Sequence, residues 1–176
     1  MTYPKFNFLC ISLFLCFISC EDPNRLAIRI AKEWHHKIIQ MPDDIVWKID
    51  GRDTLISINS TFRILYYAKD CISCSFNAHQ WKSLVEIFRE DGNDVMLMFV
   101  IQPKYFKEFE VILISEDFIH PVILDEFDEF DKLNNFPAAP YNTFLLDNNN
   151  KVLLVGSPTY SPKMLELYRR VITQSK

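Results

Sequence analysis

The chain has 176 residues, 49% of them hydrophobic and 24% charged, with a formal net charge of −4. That length suits a single domain with a substantial core, and the acidic balance excludes a general attraction for nucleic acid or anionic lipid headgroups. Only three glycines occur, Gly51, Gly92 and Gly156, all isolated, which excludes a phosphate-cradling loop of the P-loop or dinucleotide-binding type.

Residues 1–19 read as an export signal. Lys5 supplies a basic start, and the apolar stretch from Phe8 to Ile18 is shorter than the roughly 20 residues a spanning helix needs. Ser19-Cys20 followed by Glu21-Asp22 resembles a bacterial lipobox, which implies cleavage before Cys20 and a lipid on that cysteine. An ordinary signal peptide or an uncleaved anchor is the competing reading. Of five cysteines, Cys10 and Cys16 leave with the signal, and the loss of Lys5 takes the net charge to −5. Cys71 and Cys74 then remain as free thiols in a compartment where disulfides form and persist. Any contact with the membrane comes through the lipid.

The mature chain alternates helices and strands. Residues 20–44 form a linker and a helix from Asn24 to Gln40, with Leu26, Ile30, Trp34 and Ile38 at near-helical spacing. Met41-Pro42-Asp43-Asp44 ends it. Residues 45–176 make the main domain. It opens with a hairpin, Ile45 to Ile49 and Thr54 to Ile58, around Asp50-Gly51-Arg52-Asp53. A buried strand Phe62 to Ala68, a helix Cys74 to Arg89 and a strand Val95 to Ile101 follow. Then come a helix from Lys104 to Ile114, a short strand Pro121 to Leu124 and an acidic short helix or loop, Asp125 to Asn135. The tail is a strand pair, Asn142 to Leu146 and Lys151 to Gly156, and a helix Pro162 to Ile172 carrying Leu165, Tyr168 and Ile172 on one face. This pattern argues for an α/β fold, one mixed sheet flanked by helices on both faces.

Chemistry concentrates at Asp70-Cys71-Ile72-Ser73-Cys74, where the buried strand gives way to a helix whose inner face is Trp81, Leu84, Val85 and Phe88. Two thiols three positions apart on a first helical turn can close a disulfide, and the exposed N–H groups there stabilise a thiolate on the first.

A buried strand, Cys-x-x-Cys, an amphipathic helix, a second buried strand, and a proline before a hairpin together resemble the thioredoxin pattern. The stretch Val122-Ile123-Leu124-Asp125, then Phe136-Pro137-Ala138-Ala139-Pro140-Tyr141-Asn142-Thr143-Phe144-Leu145-Leu146-Asp147 and Lys151-Val152, is similar to the TlpA/ResA branch. The chain as a whole resembles small thioredoxin-like lipoproteins of anaerobic Gram-negative bacteria. The resemblance covers about residues 45–176 and leaves the first helix outside the basic unit. It implies that Cys71 is the attacking thiolate and Cys74 the resolving thiol, with no cofactor. It also implies that a cis-proline facing the pair holds the substrate backbone, Pro140 first and Pro137 second. Partners would be protein or small-molecule thiols and disulfides and an upstream electron donor, on the periplasmic side or at the cell surface. Asp70 stands where a tryptophan is usual, and Ile72-Ser73 adds no positive charge, so a reducing or intermediate potential is implied over a strongly oxidising one.

Other readings of the same residues stay open. The pair could be a structural disulfide on a non-catalytic interaction lipoprotein. A zinc site would need more than Cys71, Cys74 and His79, and haem attachment would need histidine where Ser75 stands, so no metal is expected. A peroxidase would use a different local motif. His35-His36 read as solvated, His120-Pro121 as a loop, and Asp125, Asp128 and Asp131 as the wet side of an amphipathic turn. Asp53-Thr54-Leu55 resembles an O-glycosylation signal of exported proteins.

Overall fold

The computed structural model describes residues 22–43, 45–49, 52–69, 76–118 and 120–175. Its elements, in chain order, are α1 (Pro23–Trp34), β1 (Trp47–Ile49), β2 (Arg52–Thr54), β3 (Phe62–Ala68), α2 (Ala78–Glu90), β4 (Val95–Ile101), α3 (Pro103–Ser115), β5 (Val122–Leu124), α4 (Glu129–Asn134), β6 (Thr143–Asp147), β7 (Val152–Val155) and α5 (Pro162–Gln174). The strands form one mixed sheet in the order β2-β1-β5-β4-β3-β6-β7. β3, β4 and β5 run parallel, and β6 joins β3 antiparallel, Leu65 facing Phe144.

β3 lies near the middle of this sheet, so both of its faces must be covered, and all seven of its residues are buried. Ile64 and Tyr66 turn to one face, where Trp81, Leu84 and Phe88 of α2, Phe109 of α3, and Tyr168 and Ile172 of α5 pack. Leu65 and Tyr67 turn to the other, beneath Ile30 and Trp34 of α1 and Phe130 of α4. The α/β architecture expected from the alternation is the one observed. The helix outside the basic unit closes half of the second core, for Trp34 is only 2% exposed and stacks on Phe136 at 5.6 Å.

Three boundaries differ from the sequence reading for identifiable reasons. The second hairpin strand, expected over Thr54 to Ile58, is β2 at Arg52–Thr54, because Arg52 and Asp53 pair with Ile49 and Lys48 instead of forming the turn, and Leu55 beyond it is 96% exposed. α1 stops at Trp34, not Gln40, because His36 takes a left-handed backbone (φ 67°) and the next residues bond to β7 instead of continuing the helix. Ile38, expected on the buried stripe, is consequently 54% exposed. Gln40 is held by a two-way bond with Asn134, whose Oδ1 accepts from Gln40 N–H (2.8 Å) and whose Nδ2 donates to Gln40 C=O (2.9 Å). α2 starts at Ala78, not Cys74, because Asn77 is an extended N-cap whose side chain accepts from Gln80 N–H at 3.1 Å. At the other end of α2, Gly92 supplies the left-handed residue (φ 66°) that ends the helix, and Asn93 N–H reaches back to Phe88 C=O.

Candidate functional site

The parallel strands β3, β4 and β5 all end at one edge of the sheet, and residues 70–75 leave from the end of β3 there. Gln102 N–H donates to Ala68 C=O (3.4 Å) and Asp125 N–H to Ile101 C=O (2.9 Å), which brings the three strand ends together. The segment reaches α2 through Phe76 and the cap Asn77. Cys71 and Cys74 lie outside the described residues, as does Cys20, but their two flanks are well placed. The sequence reading began this helix at Cys74; α2 begins at Ala78, behind the cap Asn77.

Beside this edge lies the loop before β6. Tyr67 N–H donates to Asn142 C=O (2.9 Å), and the buried Asn142 side chain returns a bond from Nδ2 to Tyr67 C=O (2.7 Å). The loop is therefore fastened to β3 two residues from the start of the cysteine segment. The Ala139–Pro140 peptide is cis, and Pro140 is exposed. Pro137, the second candidate, is half-buried next to Phe136, whose ring stacks on Tyr67 at 4.5 Å. Pro140 is thus the proline presented to solvent at this edge.

Under the strand ends sits a polar cluster that sequence reasoning misjudged. Asp125 is 4% exposed, not on a wet face. It accepts from Tyr67 Oη (3.1 Å), Glu129 N–H (2.7 Å) and Phe130 N–H (3.3 Å), so its carboxylate starts α4. Burial pushes the Asp125 carboxyl up, and the bonds from Phe130, Tyr67 and Glu129 hold it partly down. Burial, seconded by Asp125, pushes the Tyr67 phenol up as well. Asp131 pairs with Lys69 (2.8 Å) and accepts from Phe136 N–H (3.0 Å), while Asp128 accepts from Gln102 Nε2 (3.0 Å). Each carboxylate thus braces one of the segments around the site. The one signal for this in the sequence was Asp125 directly after an apolar strand and four residues before a helix.

Among the described residues no group of histidine, cysteine, aspartate and glutamate could hold a metal ion. The His35 and His36 rings lie 3.7 Å apart, tilted by 35°, on the surface. Burial against the loop, with Lys82 nearby, lowers the His120 pKa, and its ring packs on Phe118 at 4.5 Å. No helix among the described residues is long and apolar enough to cross a membrane.

No protein-family model matches the chain, and no curated protein matches it. Solved structures do. The chain is similar to a thioredoxin-like protein from Porphyromonas gingivalis, with a TM-score of 0.54 at 17% identity over 79% of this chain and 95% of that one. It is similar to the thioredoxin domain of a thiol-disulfide oxidoreductase from Bacteroides vulgatus, with a TM-score of 0.57 at 10% identity over 78% and 97%. A thioredoxin-like protein from Bacteroides caccae matches 92% of this chain and 60% of its own length, with a TM-score of 0.52 at 13% identity. The fold is thioredoxin-like. The mixed sheet flanked by helices agrees with the fold expected from the sequence.

Proposed function

We propose that this protein is an extracytoplasmic, lipid-anchored thiol–disulfide oxidoreductase that exchanges disulfides through Cys71 and Cys74. The observation that carries the reading is the pair of hydrogen bonds between Tyr67 and Asn142, which holds the Pro140 loop against the strand end leading into Cys71. A substrate chain lying on Pro140 would present its sulfur to the segment bearing both cysteines. The likeness in fold to a thiol-disulfide oxidoreductase supports the same chemistry. Cys71 attacks a substrate disulfide, one substrate thiolate leaves, and Cys74 then attacks the Cys71 sulfur and releases the second. Two electrons pass to the substrate, and an external dithiol donor restores the pair.

In the reduced protein, Cys71 is expected to react with iodoacetamide much faster than Cys74 at neutral pH, because the attacking sulfur must be exposed and partly ionised. Mass spectrometry of singly labelled peptides reads the order. Equal, slow labelling of both thiols in the native state would instead favour a structural disulfide on an interaction lipoprotein.

Anchoring through Cys20 rests on the apolar run and the Ser19-Cys20 junction. Mass spectrometry of the membrane fraction is expected to show an acylated peptide beginning at Cys20. A mature protein starting elsewhere, without acyl mass, would remove the anchor and leave the redox chemistry standing.

A further inference from the structure

β7 is an edge strand, and the chain covers only part of it. Residues 36–39 lie along its first half as an extended strap: His36 N–H donates to Val152 C=O (2.9 Å), Val152 N–H to Lys37 C=O (2.8 Å) and Ile39 N–H to Asn150 C=O (2.9 Å). Past Val152 the strap turns away into α1. The direction of the remaining backbone groups follows from the ladder. Gly156 N–H donates to Thr143 C=O at 2.8 Å, which makes that pair the hydrogen-bonded one. The adjacent pair, Phe144 and Val155, must then turn its N–H and C=O groups outward. Those of Phe144 face β3, while those of Val155 face the open edge.

The open half of the edge is the floor of an apolar groove of about 740 Å³, within the ~300–1,000 Å³ of ordinary ligand clefts. Ala27, Ile28 and Ala31 of α1 form one wall, and Tyr160, Met164 and Leu167 the other. Ile28 is 55% and Tyr160 75% exposed, although both are large and apolar. Pro140 and Gly156 stand at the end nearest the cysteine segment.

We propose that this groove binds an extended apolar stretch of a polypeptide, which pairs its backbone with Val155 and continues the edge that residues 36–39 begin. The strap is the precedent within the chain, for the same strand already takes extended backbone along its first half. A hydrocarbon chain would satisfy the walls but leave the Val155 amide and carbonyl unmatched. A second copy cannot bring a whole sheet to this edge, because α1 and α5 cover opposite faces and flank it on both sides. Side chains of one inserted strand would alternate between the two apolar walls. The biological use of the groove rests on the exchange reading: it makes the substrates proteins with exposed apolar segments, not small thiols.

The probe is a cysteine-free ten-residue peptide with a Val-Ile-Val-Leu centre and acidic ends, suited to Lys32 and His35 at the rim. Its affinity is measured for wild type, Val155→Pro and Ile28→Glu. Proline removes the outward N–H of Val155 without touching the bonds to β6, and glutamate places a charge in the wall. Each variant is expected to bind about tenfold more weakly, the scale of one backbone hydrogen bond or one lost apolar contact. If Val155→Pro fails to fold by circular dichroism, Ile28→Glu decides alone. Absence of binding to wild type, equal affinity for wild type and Ile28→Glu, displacement by decanoate, or a dimer that occupies the groove would overturn the proposal. A Cys71→Ser/Cys74→Ser protein is expected to bind the peptide as wild type does. The groove is therefore tested apart from the redox reading: peptide binding without any disulfide reduction would sink the exchange chemistry and keep the groove.

Discussion

Cys74→Ser protein recovered from the cell envelope is expected to carry other proteins on Cys71 through mixed disulfides, and Cys71→Ser protein to carry none. The asymmetry follows from the order of attack. Removing the resolving thiol halts exchange after the first bond forms, whereas removing the attacking thiol prevents any bond. Multiple turnover falls to the level of the buffer blank in both. Non-reducing electrophoresis followed by mass spectrometry reads the difference, and the adducts must disappear on reduction. A structural disulfide forecasts the opposite: no adducts from either variant and comparable losses of stability. The trapped partners would also test the groove, which calls for proteins with exposed apolar segments.

The largest effect on stability is expected at Trp34, far from the cysteines. Trp34→Ala should cost about 3–5 kcal/mol, the range for truncating a buried aromatic. Its ring lies 4.8 Å from Phe144 and 5.6 Å from Phe136, and Lys37 Nζ sits 3.7 Å over its face. α1 is outside the basic thioredoxin unit, yet it covers Leu65 and Tyr67 of the central strand. Denaturant unfolding of the two proteins gives the difference. A loss below about 1 kcal/mol would mean that α1 adds little to the core, since surface changes cost no more than that.

The two buried strands β3 and β4 were the most legible part of the chain. Phe62–Ala68 and Val95–Ile101 match their expected bounds because an unbroken apolar run is what a strand covered on both faces requires. The helix after the cysteines was placed four residues early. Its apolar spacing begins at Trp81 and does not mark where the first turn starts, which the Asn77 side chain fixes by accepting from Gln80 N–H. The end of α1 was not legible. Nothing local stops that periodicity at Trp34; the bonds from residues 36–39 to β7 do, and these join positions more than a hundred residues apart. The aspartates show the same limit. Their three-residue spacing fits a wet helical face, and only the fold brings Tyr67 and Lys69 over Asp125 and Asp131. Pro140 was legible as the first candidate because it precedes the Thr143–Asp147 strand, and the groove beside it was not, since its walls come from both ends of the chain.

The most direct test of the exchange chemistry is a redox titration of Cys71 and Cys74 in a glutathione buffer, run together with catalysed reduction of insulin. A reversible two-electron couple is expected between about −180 and −270 mV, the span from protein disulfide isomerase to thioredoxin. Asp70 beside Cys71, and the uncharged Ile72-Ser73 between the cysteines, both argue against a strongly oxidising thiolate. Insulin should be reduced by wild type and not by Cys71→Ser. A couple below about −300 mV, typical of structural disulfides, with no insulin reduction by wild type, would contradict the oxidoreductase and leave a thioredoxin-fold interaction protein.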